Sequence, residues 1–320
     1  MNRLQIVVAA VMACCPALVA AAQLLVLNKD DSTLAFIDPE SGQTLATVPT
    51  GEGPHEIALS GDGRLAFVSN YGAKTAGNSL SVIDVNARAE RQRVDLGELK
   101  RPHGLAFSDG RLYLTSEVAR LIARFDPATQ RVEWTFPTEQ NGTHMVLASR
   151  DGSKLFATNL ASKSVSVIER TNGVWQQTLV RVGMAPEGFD LSPDGREIWA
   201  AHAGDGGISI IDVGSKKVIH SFDAKTKRSN RLKFSQDGKL VLVSEFNGGN
   251  LVVLDARERI ERARLPVGNT PSGILIAPDG RHAYVAVSGD NRIAVVDLKA
   301  LRVERTIETG KSPDGMAWVN

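Results

Sequence analysis

Apolar and polar residues alternate along most of this chain in short runs separated by turn residues. In the run "EIALS", Ile57 and Leu59 lie two positions apart, and in "SLSVIDV" Leu80 and Val82 do the same. Alternation with a period of two residues predicts β-strands rather than helices. An Asp-Gly pair beginning at Asp62 follows the first run, and it supplies the positive φ that a tight hairpin requires. The pattern therefore predicts antiparallel hairpins.

The pattern repeats with a period of about 43 residues, which is typical of a repeat fold. Six Asp-Gly turns mark the repeat, at Asp62, Asp109, Asp151, Asp194, Asp237 and Asp279. A second marker, an apolar residue followed by an acid, occurs seven times, at Asp38, Asp84, Asp126, Glu169, Asp212, Asp255 and Asp297. Each unit holds four strand-like runs, so we predict an all-β, seven-bladed β-propeller of four-stranded antiparallel blades. A parallel solenoid is the competing fold, but its coils are generally shorter and need no hairpin at every turn.

The two ends of the repeat region complement each other. The runs "LLVLN", "TLAFID" and "TLATVP" match the second, third and fourth strands of a blade, and "PDGMAWVN" (313–320) matches the first. We predict that this last run pairs with Leu24 to Asn28 and closes the ring without an open sheet edge. Residues 23–320 are therefore expected to form a single propeller domain.

Residues 1–22 have the composition of an export signal. They carry one charge, Arg3, then an apolar run from Ile6 to Val19 and small residues up to Ala22, after which we place the cleavage site. The alternative is a lipoprotein anchored at Cys14, because "VMAC" resembles a lipobox. Both cysteines lie in this segment, so the mature chain would contain no thiol. We expect a periplasmic or secreted protein, and no later stretch is long enough for a transmembrane helix.

Composition argues against nucleic acid as a partner. The 37 basic and 36 acidic residues nearly cancel, and the few aromatic residues are not interleaved with a basic stripe. Gly-rich stretches lack the lysine and helix of a phosphate loop. We expect a monomer whose partner is a small molecule or a protein.

The repeat also carries a family resemblance. The segment "VLNKDDSTLAFIDPESGQTLATVPTGEGPHEIALSGDGRLAFVSN" resembles the YVTN-type β-propeller repeat, and the resemblance covers essentially the whole mature chain. It implies a seven-bladed propeller, often exported, from a family that includes lactonase-like enzymes, binding proteins and parts of redox systems. The segment "PHGLAFSDGRLYLTSEVARLIARFDPATQRVEWTFP" is also similar to blades of the streptogramin lyase family. Fold does not decide function here.

Differences between the blades point to one mouth of the central channel. In a propeller the first strand of each blade lines the channel, and its start lies on the same face as the end of the second strand. The starts of the first strands carry His55, His103, His144, Glu187, Asn230, Ser272 and Asp314. The ends of the second strands carry Asn28, Asn70, Glu117, Asn159, His202, Glu245 and Val287.

Three histidines at one position of three consecutive blades are expected to meet near the axis. We predict that His55, His103 and His144 bind zinc, copper or iron, because neutral imidazoles are ligands for these metals. Alternatively, a histidine and a glutamate act as acid and base. A third reading is structural, in which each histidine only hydrogen-bonds a loop carbonyl. The remaining candidate ligand-binding residues at this mouth are Glu117, Glu187, His202, Arg228, Arg231 and Glu245.

Two loops are also expected to contribute to this mouth. The basic run from Lys225 to Lys233 offers a clamp for a carboxylate or phosphate, with a solvated loop as the alternative. The insertion from Tyr71 to Ser79 offers a flap. Two function classes remain open from the sequence: a noncatalytic binding or scaffold protein, and a metal-assisted lactonase or lyase.

Overall fold

A computed structural model describes residues 22–320 of the chain, which form seven four-stranded antiparallel sheets. The predicted seven-bladed propeller is confirmed. The predicted export signal, apart from Ala22, lies outside the described residues, as do Cys14 and Cys15.

Each blade contributes four consecutive strands, except that blade 1 takes its first strand from the C-terminal end of the chain. Blade 1 consists of β1 (Gln23–Asn28), β2 (Thr33–Ile37), β3 (Thr44–Pro49) and β28 (Pro313–Val319). Blades 2 and 3 consist of β4 (Pro54–Leu59), β5 (Leu65–Asn70), β6 (Ser79–Asp84), β7 (Ala89–Asp95), β8 (Pro102–Ser108), β9 (Arg111–Ser116), β10 (Leu121–Asp126) and β11 (Arg131–Pro137). Blades 4 and 5 consist of β12 (Thr143–Ala148), β13 (Lys154–Asn159), β14 (Ser164–Thr171), β15 (Val174–Arg181), β16 (Pro186–Leu191), β17 (Glu197–His202), β18 (Gly207–Asp212) and β19 (Lys217–Asp223). Blades 6 and 7 consist of β20 (Ser229–Phe234), β21 (Leu240–Glu245), β22 (Asn250–Asp255), β23 (Ile260–Pro266), β24 (Pro271–Ile276), β25 (His282–Val287), β26 (Arg292–Asp297) and β27 (Arg302–Glu308), with a 3-10 turn at Ser288–Asp290.

The ring closes as predicted. Strand β28 pairs with β1, placing Trp318 opposite Leu24 and Ala317 opposite Leu25. The first strands of neighbouring blades contact one another around the whole ring, from β28 to β4 and onward to β24, which contacts β28 again. These seven strands therefore form the wall of the central channel.

The hydrophobic core lies between the blades. Between blades 1 and 2, for example, Phe36 packs against Ala66 and Ile83, and all three side chains are fully buried. The inner strands carry apolar residues on both faces, as in β1, where Leu24 to Leu27 are fully buried, and they therefore contribute to two such layers. The outer strands alternate mostly between exposed and half-buried positions. The predicted Asp-Gly hairpins are present, and Gly63 has a φ of 70°.

Among residues 22–320 no helix is long and apolar enough to cross a membrane.

Candidate functional site at the channel mouth

The same backbone conformation precedes the mouth side chain in every blade. Two residues before each mouth side chain, the chain adopts a left-handed conformation with φ between 50° and 70°. The residues in this conformation are Gly53, Arg101, Gly142, Ala185, Arg228, Thr270 and Ser312. The carbonyl of each accepts a hydrogen bond of 2.8–3.3 Å from the amide that follows the second strand of its blade. This bond fixes the start of the first strand against the end of the second.

A bulge follows at once in the first strand. The pairing register shifts between Pro54 and Ile57 in blade 2, and the other first strands shift at the equivalent place. A bulge re-aims the side chains that it carries. Consequently two successive residues, such as His55 and Glu56, both lie at the channel.

The third position of the first strand keeps the channel narrow. It holds Glu56, Gly104, Met145, Gly188, Arg231, Gly273 and Gly315. A Cβ on Gly188 would lie 2.5 Å from Arg231 Cα, and one on Gly315 would lie 2.5 Å from the His55 carbonyl oxygen. Glycine therefore permits the close approach of neighbouring strands, and Glu56 and Arg231 are the two charged exceptions at this level.

The mouth encloses a cavity of about 280 Å³. Seven of the nine predicted site residues line it, namely His55, His103, His144, Glu117, Glu187, Arg228 and Arg231. The other lining residues are Lys29, Tyr71, Leu160, Asn230, Phe246, Ser272 and Asp314. The three histidines and most of the predicted polar groups thus share one site.

The three imidazoles form a continuous row with Tyr71. The ring centroids of His103 and His144 lie 3.7 Å apart at an interplanar angle of 32°, and those of His55 and His103 lie 5.2 Å apart. The Tyr71 ring lies 4.6 Å from His55 and 5.5 Å from His103. His103 and His144 are almost fully buried, with 3% and 7% exposure. The row therefore forms one wall of the cavity.

Hydrogen bonds fix the orientation of two of these rings. His55 Nδ1 lies 2.9 Å from the Gly53 carbonyl oxygen, which can only accept, so Nδ1 carries the proton. His144 Nδ1 lies 2.5 Å from Glu117 Oε1. His144 Nε2 and His103 Nδ1 are buried without a hydrogen-bond partner.

Burial determines the protonation of this wall. Burial lowers the pKa of His55 to about 4 and that of His103 well below its usual value, the latter with further lowering from His144. Burial raises the pKa of Glu117, but hydrogen bonds from His144 and Tyr71 outweigh it and leave that pKa below its usual value. At neutral pH the wall therefore combines neutral imidazoles at His55 and His103 with an ionised carboxylate.

The opposite wall is a buried ion network around Arg231. Its guanidinium pairs with Glu56, lies 3.8 Å from Glu187 Oε1 and lies 3.9 Å from Asp314 Oδ1. Lys29 Nζ also pairs with Asp314, at 3.0 Å. Burial raises the pKa of Asp314, but these cations outweigh it and lower that pKa to about 2. The predicted anion clamp at Arg231 is thus engaged by carboxylates of the protein itself.

The structure does not bring His202 and Glu245 to this cavity. His202 Nδ1 lies 3.0 Å from Asp205 Oδ1, and its Nε2 accepts from the Gly183 amide. Glu245 is 2% exposed, accepts from the Lys227 amide at 2.7 Å and pairs with Arg264 at 2.9 Å. Both side chains turn into their own blades, where they bind loop and hairpin groups.

The two predicted loops do reach the mouth. Arg228, from the basic run, lies over the Phe246 ring at 4.3 Å. The insertion is contacted by Arg101, which precedes β8. The Arg101 guanidinium lies over the Tyr71 ring at 4.5 Å and donates to the carbonyls of Tyr71 and Ala73. The insertion is therefore pinned against the mouth by Arg101.

Sequence reasoning missed Glu56, Lys29 and the direct role of Tyr71 in the wall. A signal for Glu56 was present, because aligning the third position of each first strand shows two charges among glycines. For Tyr71 the only signal was its place at the start of the insertion.

These features define a seven-bladed β-propeller with a closed ring and a histidine-lined mouth. The chain belongs to the YNCE-like beta-propeller family, whose model matches residues 4–320. The predicted membership in a propeller repeat family is confirmed.

Two curated relatives are similar to this chain. Antigen Lp49 of Leptospira interrogans is 21% identical over 320 residues, which cover 92% of this chain and 67% of that protein. Dihydro-heme d1 dehydrogenase of Pseudomonas aeruginosa is 34% identical over 109 residues, which cover 32% of this chain and 22% of that protein. The matched regions thus span two thirds of the first relative and about a fifth of the second.

Solved structures share the fold. The Kuenenia stuttgartiensis hydrazine synthase structure matches with a TM-score of 0.68 at 20% identity, covering 82% of this chain and 88% of that one. The structure of dihydro-heme d1 dehydrogenase NirN in complex with DHE matches with a TM-score of 0.66 at 15% identity, covering 92% of this chain and 74% of that one. At these identities the likeness shows the fold alone.

Proposed function

We propose that this chain is a binding protein that holds a transition metal, as an ion or within a small complex, at the channel mouth. The observation that carries the proposal is the pair of buried imidazole nitrogens without a partner, His103 Nδ1 and His144 Nε2. Unpartnered buried polar atoms are costly, and such a group calls for a ligand, an ion or water. Neutral imidazole nitrogens are the commonest protein ligands for zinc, copper and iron.

The hydrogen bonds to the other ring nitrogens of His55 and His144 support the same conclusion. Metal-binding histidines usually donate their other ring N–H to a carboxylate or a backbone carbonyl. His144 has such a partner in Glu117, and His55 has one in the Gly53 carbonyl. The neutral form of each ring then presents Nε2 as a lone-pair donor.

The charges of the cavity favour a cation over an anion. Arg231, the most buried cation of the site, is surrounded by Glu56, Glu187 and Asp314. Asp314 Oδ1 is itself buried without a hydrogen-bond partner. The ligand that complements this set supplies positive charge, as a metal ion does.

The metal can come from two sources, a free ion or a metal complex. The Pseudomonas aeruginosa relative is a dihydro-heme d1 dehydrogenase, and this supports a metal-containing macrocycle as the complex. The cavity of about 280 Å³ admits an ion entirely, whereas a macrocycle would extend from the mouth.

Binding by all three histidines requires a rearrangement. Within residues 22–320, the single set of three His, Cys, Asp or Glu side chains whose ligand atoms all lie within 4.8 Å of one another is His282, Asp297 and Glu304. Arg281 already pairs with Asp297 there at 2.6 Å, so that set is an ion-pair cluster. At the mouth, we expect His103 to leave its 3.7 Å stack on His144 when a metal binds.

A titration of tag-free protein tests the proposal. Zinc and copper are added in one arm and hemin in the other, with binding followed by calorimetry and absorbance. We expect 1:1 binding in one arm, and a loss of at least about tenfold in affinity for His55→Ala, His103→Ala or His144→Ala. His220→Ala is the matched control, because that imidazole is exposed on the outer strand β19.

The pH dependence sharpens this test. Protons compete with a metal for imidazole nitrogens. Because burial lowers the pKa of His55 to about 4, its proton competition begins near pH 4 instead of near 6.5. Equal affinity of the wild type and the triple His→Ala variant for every ligand in both arms would reject the proposal.

A metal-assisted lactonase or lyase is the second candidate. The hydrogen-bonded series of Tyr71, Glu117 and His144 favours it, because a carboxylate bonded to an imidazole is typical of acid–base sites. Turnover of a lactone panel by metal-loaded protein, lost in His144→Ala, would assign catalysis. Stoichiometric binding without turnover supports the binding role.

A further inference from the structure

The seven blades can be compared at the last residue of the second strand, which pairs with the first residue of the first strand. In five blades the side chain at this position bonds within its own blade. The pairs are Asn28 with Thr33, Asn70 with Ser79 and Ser81, Asn159 with Ser164 and Ser166, His202 with Asp205, and Glu245 with Asn250. The ordinary role of this position is therefore to hold a hairpin.

In blade 3 this position holds Ser116 and not Glu117 as predicted; Glu117 follows it, one residue beyond the strand end, at the place that Tyr71 occupies in blade 2. Glu117 Oε2 accepts from the Tyr71 hydroxyl of blade 2 at 2.7 Å, and its Oε1 lies 2.5 Å from His144 Nδ1 of blade 4. One carboxylate of blade 3 thus bridges both neighbouring blades at the mouth. Both bonds lie in the wall of the cavity.

The direction of these bonds follows from geometry. Each carboxylate oxygen of Glu117 faces one group that can donate, the Tyr71 hydroxyl at Oε2 and His144 Nδ1 at Oε1, and a carboxylate only accepts. Tyr71 must then donate its hydroxyl hydrogen, and His144 must carry its proton on Nδ1. In the neutral ring the lone pair is left on Nε2, which is the buried atom without a partner.

We propose that Glu117 and Tyr71 are positioning residues that select the Nδ1–H tautomer of His144 and aim its Nε2 at the cavity. The ligand consequence rests on the proposed metal binding, whereas the tautomer does not. Removing such a partner typically weakens metal affinity by about 10–100-fold.

The proposal also assigns a role to the insertion from Tyr71 to Ser79, which is to hold the Tyr71 hydroxyl against Glu117. Arg101 covers the Tyr71 ring at 4.5 Å and bonds the carbonyls that follow it. The loop is therefore held where its first side chain reaches Glu117, and the insertion serves as a fixed brace in the structure.

Nitrogen NMR of the metal-free protein, labelled at histidine, tests the tautomer directly. We expect the Nδ1–H form for His144 in the wild type and a mixed or reversed tautomer in Glu117→Gln, because a carboxamide can donate as well as accept. Zinc affinity is measured on the same samples and should fall about 10–100-fold in Glu117→Gln. Tyr71→Phe, which removes one donor and keeps the carboxylate, should retain the tautomer and weaken zinc binding less.

Glu245→Gln is the control, because Glu245 ends the second strand of blade 6, lies outside the cavity and bonds to groups of that blade and of the loop that enters it. It should alter neither the His144 tautomer nor zinc affinity. An Nε2–H tautomer or an imidazolium in wild-type His144, or unchanged zinc affinity in Glu117→Gln, would overturn the positioning role. If the wild type binds neither metal nor hemin but Glu117→Gln changes the tautomer, positioning stands and the proposed function fails.

Discussion

Among single residues, the seven copies of one mouth position carry five kinds of side chain, and three of the seven are histidines. Burial then decides how those side chains behave: His55 and His103 are neutral in the folded protein at pH values where a free histidine is charged. A neutral imidazole is a ligand and an acceptor, whereas a charged one is neither. The ability of these two histidines to act as ligands therefore depends on their burial.

The buried histidines make folding stability depend on pH. Both folded pKa values lie below the unfolded value of about 6.5, so below that pH the unfolded chain binds more protons and the free energy of unfolding falls. For His55 the contribution is complete above about pH 6.5 and is lost toward pH 4, on the order of 3 kcal/mol, and for His103 it is lost in the same direction. Urea unfolding at a series of pH values measures it.

The double variant His55→Gln/His103→Gln should show a flatter dependence over this range. Glu56, whose pKa burial raises, contributes an opposite slope in both proteins and cancels from the difference. His220→Gln, an exposed histidine, serves as the control. Identical slopes for the double variant and the wild type would contradict the prediction.

At the scale of elements, the left-handed residue and the bulge place every mouth side chain by the same geometry. Only the connection between β5 and β6 departs strongly, through the insertion that carries Tyr71. Its return depends on Gly77, whose amide donates to the Tyr71 carbonyl at 2.8 Å. A Cβ at Gly77 would lie 2.2 Å from the Asn70 carbonyl oxygen.

Gly77→Ala should therefore displace the insertion and remove the bond from Tyr71 to Glu117. We expect a loss of about 1–3 kcal/mol in the free energy of unfolding, because the clash is with backbone that cannot yield freely. Zinc affinity should fall with it. Gly61→Ala is the control, since a Cβ there meets nothing closer than Phe107 at 3.7 Å; equal stability of the two variants would show that the loop tolerates the added methyl group.

In the molecule as a whole, ion pairs connect non-adjacent blades across the channel, in addition to the contacts between neighbouring blades. Arg231 of blade 6 pairs with Glu56 of blade 2, 175 residues away in sequence, and approaches Asp314 on the closing strand β28. Removing one partner of a buried ion pair leaves the other charge without compensation. The network therefore couples the closing blade to the opposite side of the ring.

Arg231→Met should destabilise the fold by about 3–5 kcal/mol, because three buried carboxylates lose their common cation. Adding Glu56→Gln to that variant should recover part of the loss, and the double-mutant cycle gives the coupling energy. Thermal and urea unfolding are the measurements. Arg257→Met, at an exposed pair with Glu258, should change stability by less than about 0.5 kcal/mol; strictly additive effects of Arg231→Met and Glu56→Gln would refute the coupling.

The blades, their number and the closure of the ring can all be predicted from the amino-acid sequence. Strand alternation and Asp-Gly turns act over a few residues, and the missing first strand of blade 1 is visible as the match of 313–320. The sequence also placed the three histidines at one mouth, because equivalent positions of a repeat occupy equivalent places around the axis. Which mouth side chains meet depends on the packing of the blades: Glu117 bonds Tyr71 and His144, whereas Glu245 pairs with Arg264 of its own blade. The physical reason is that these partners are chosen by burial and by the few ångströms between blades, which the sequence of a single blade does not specify.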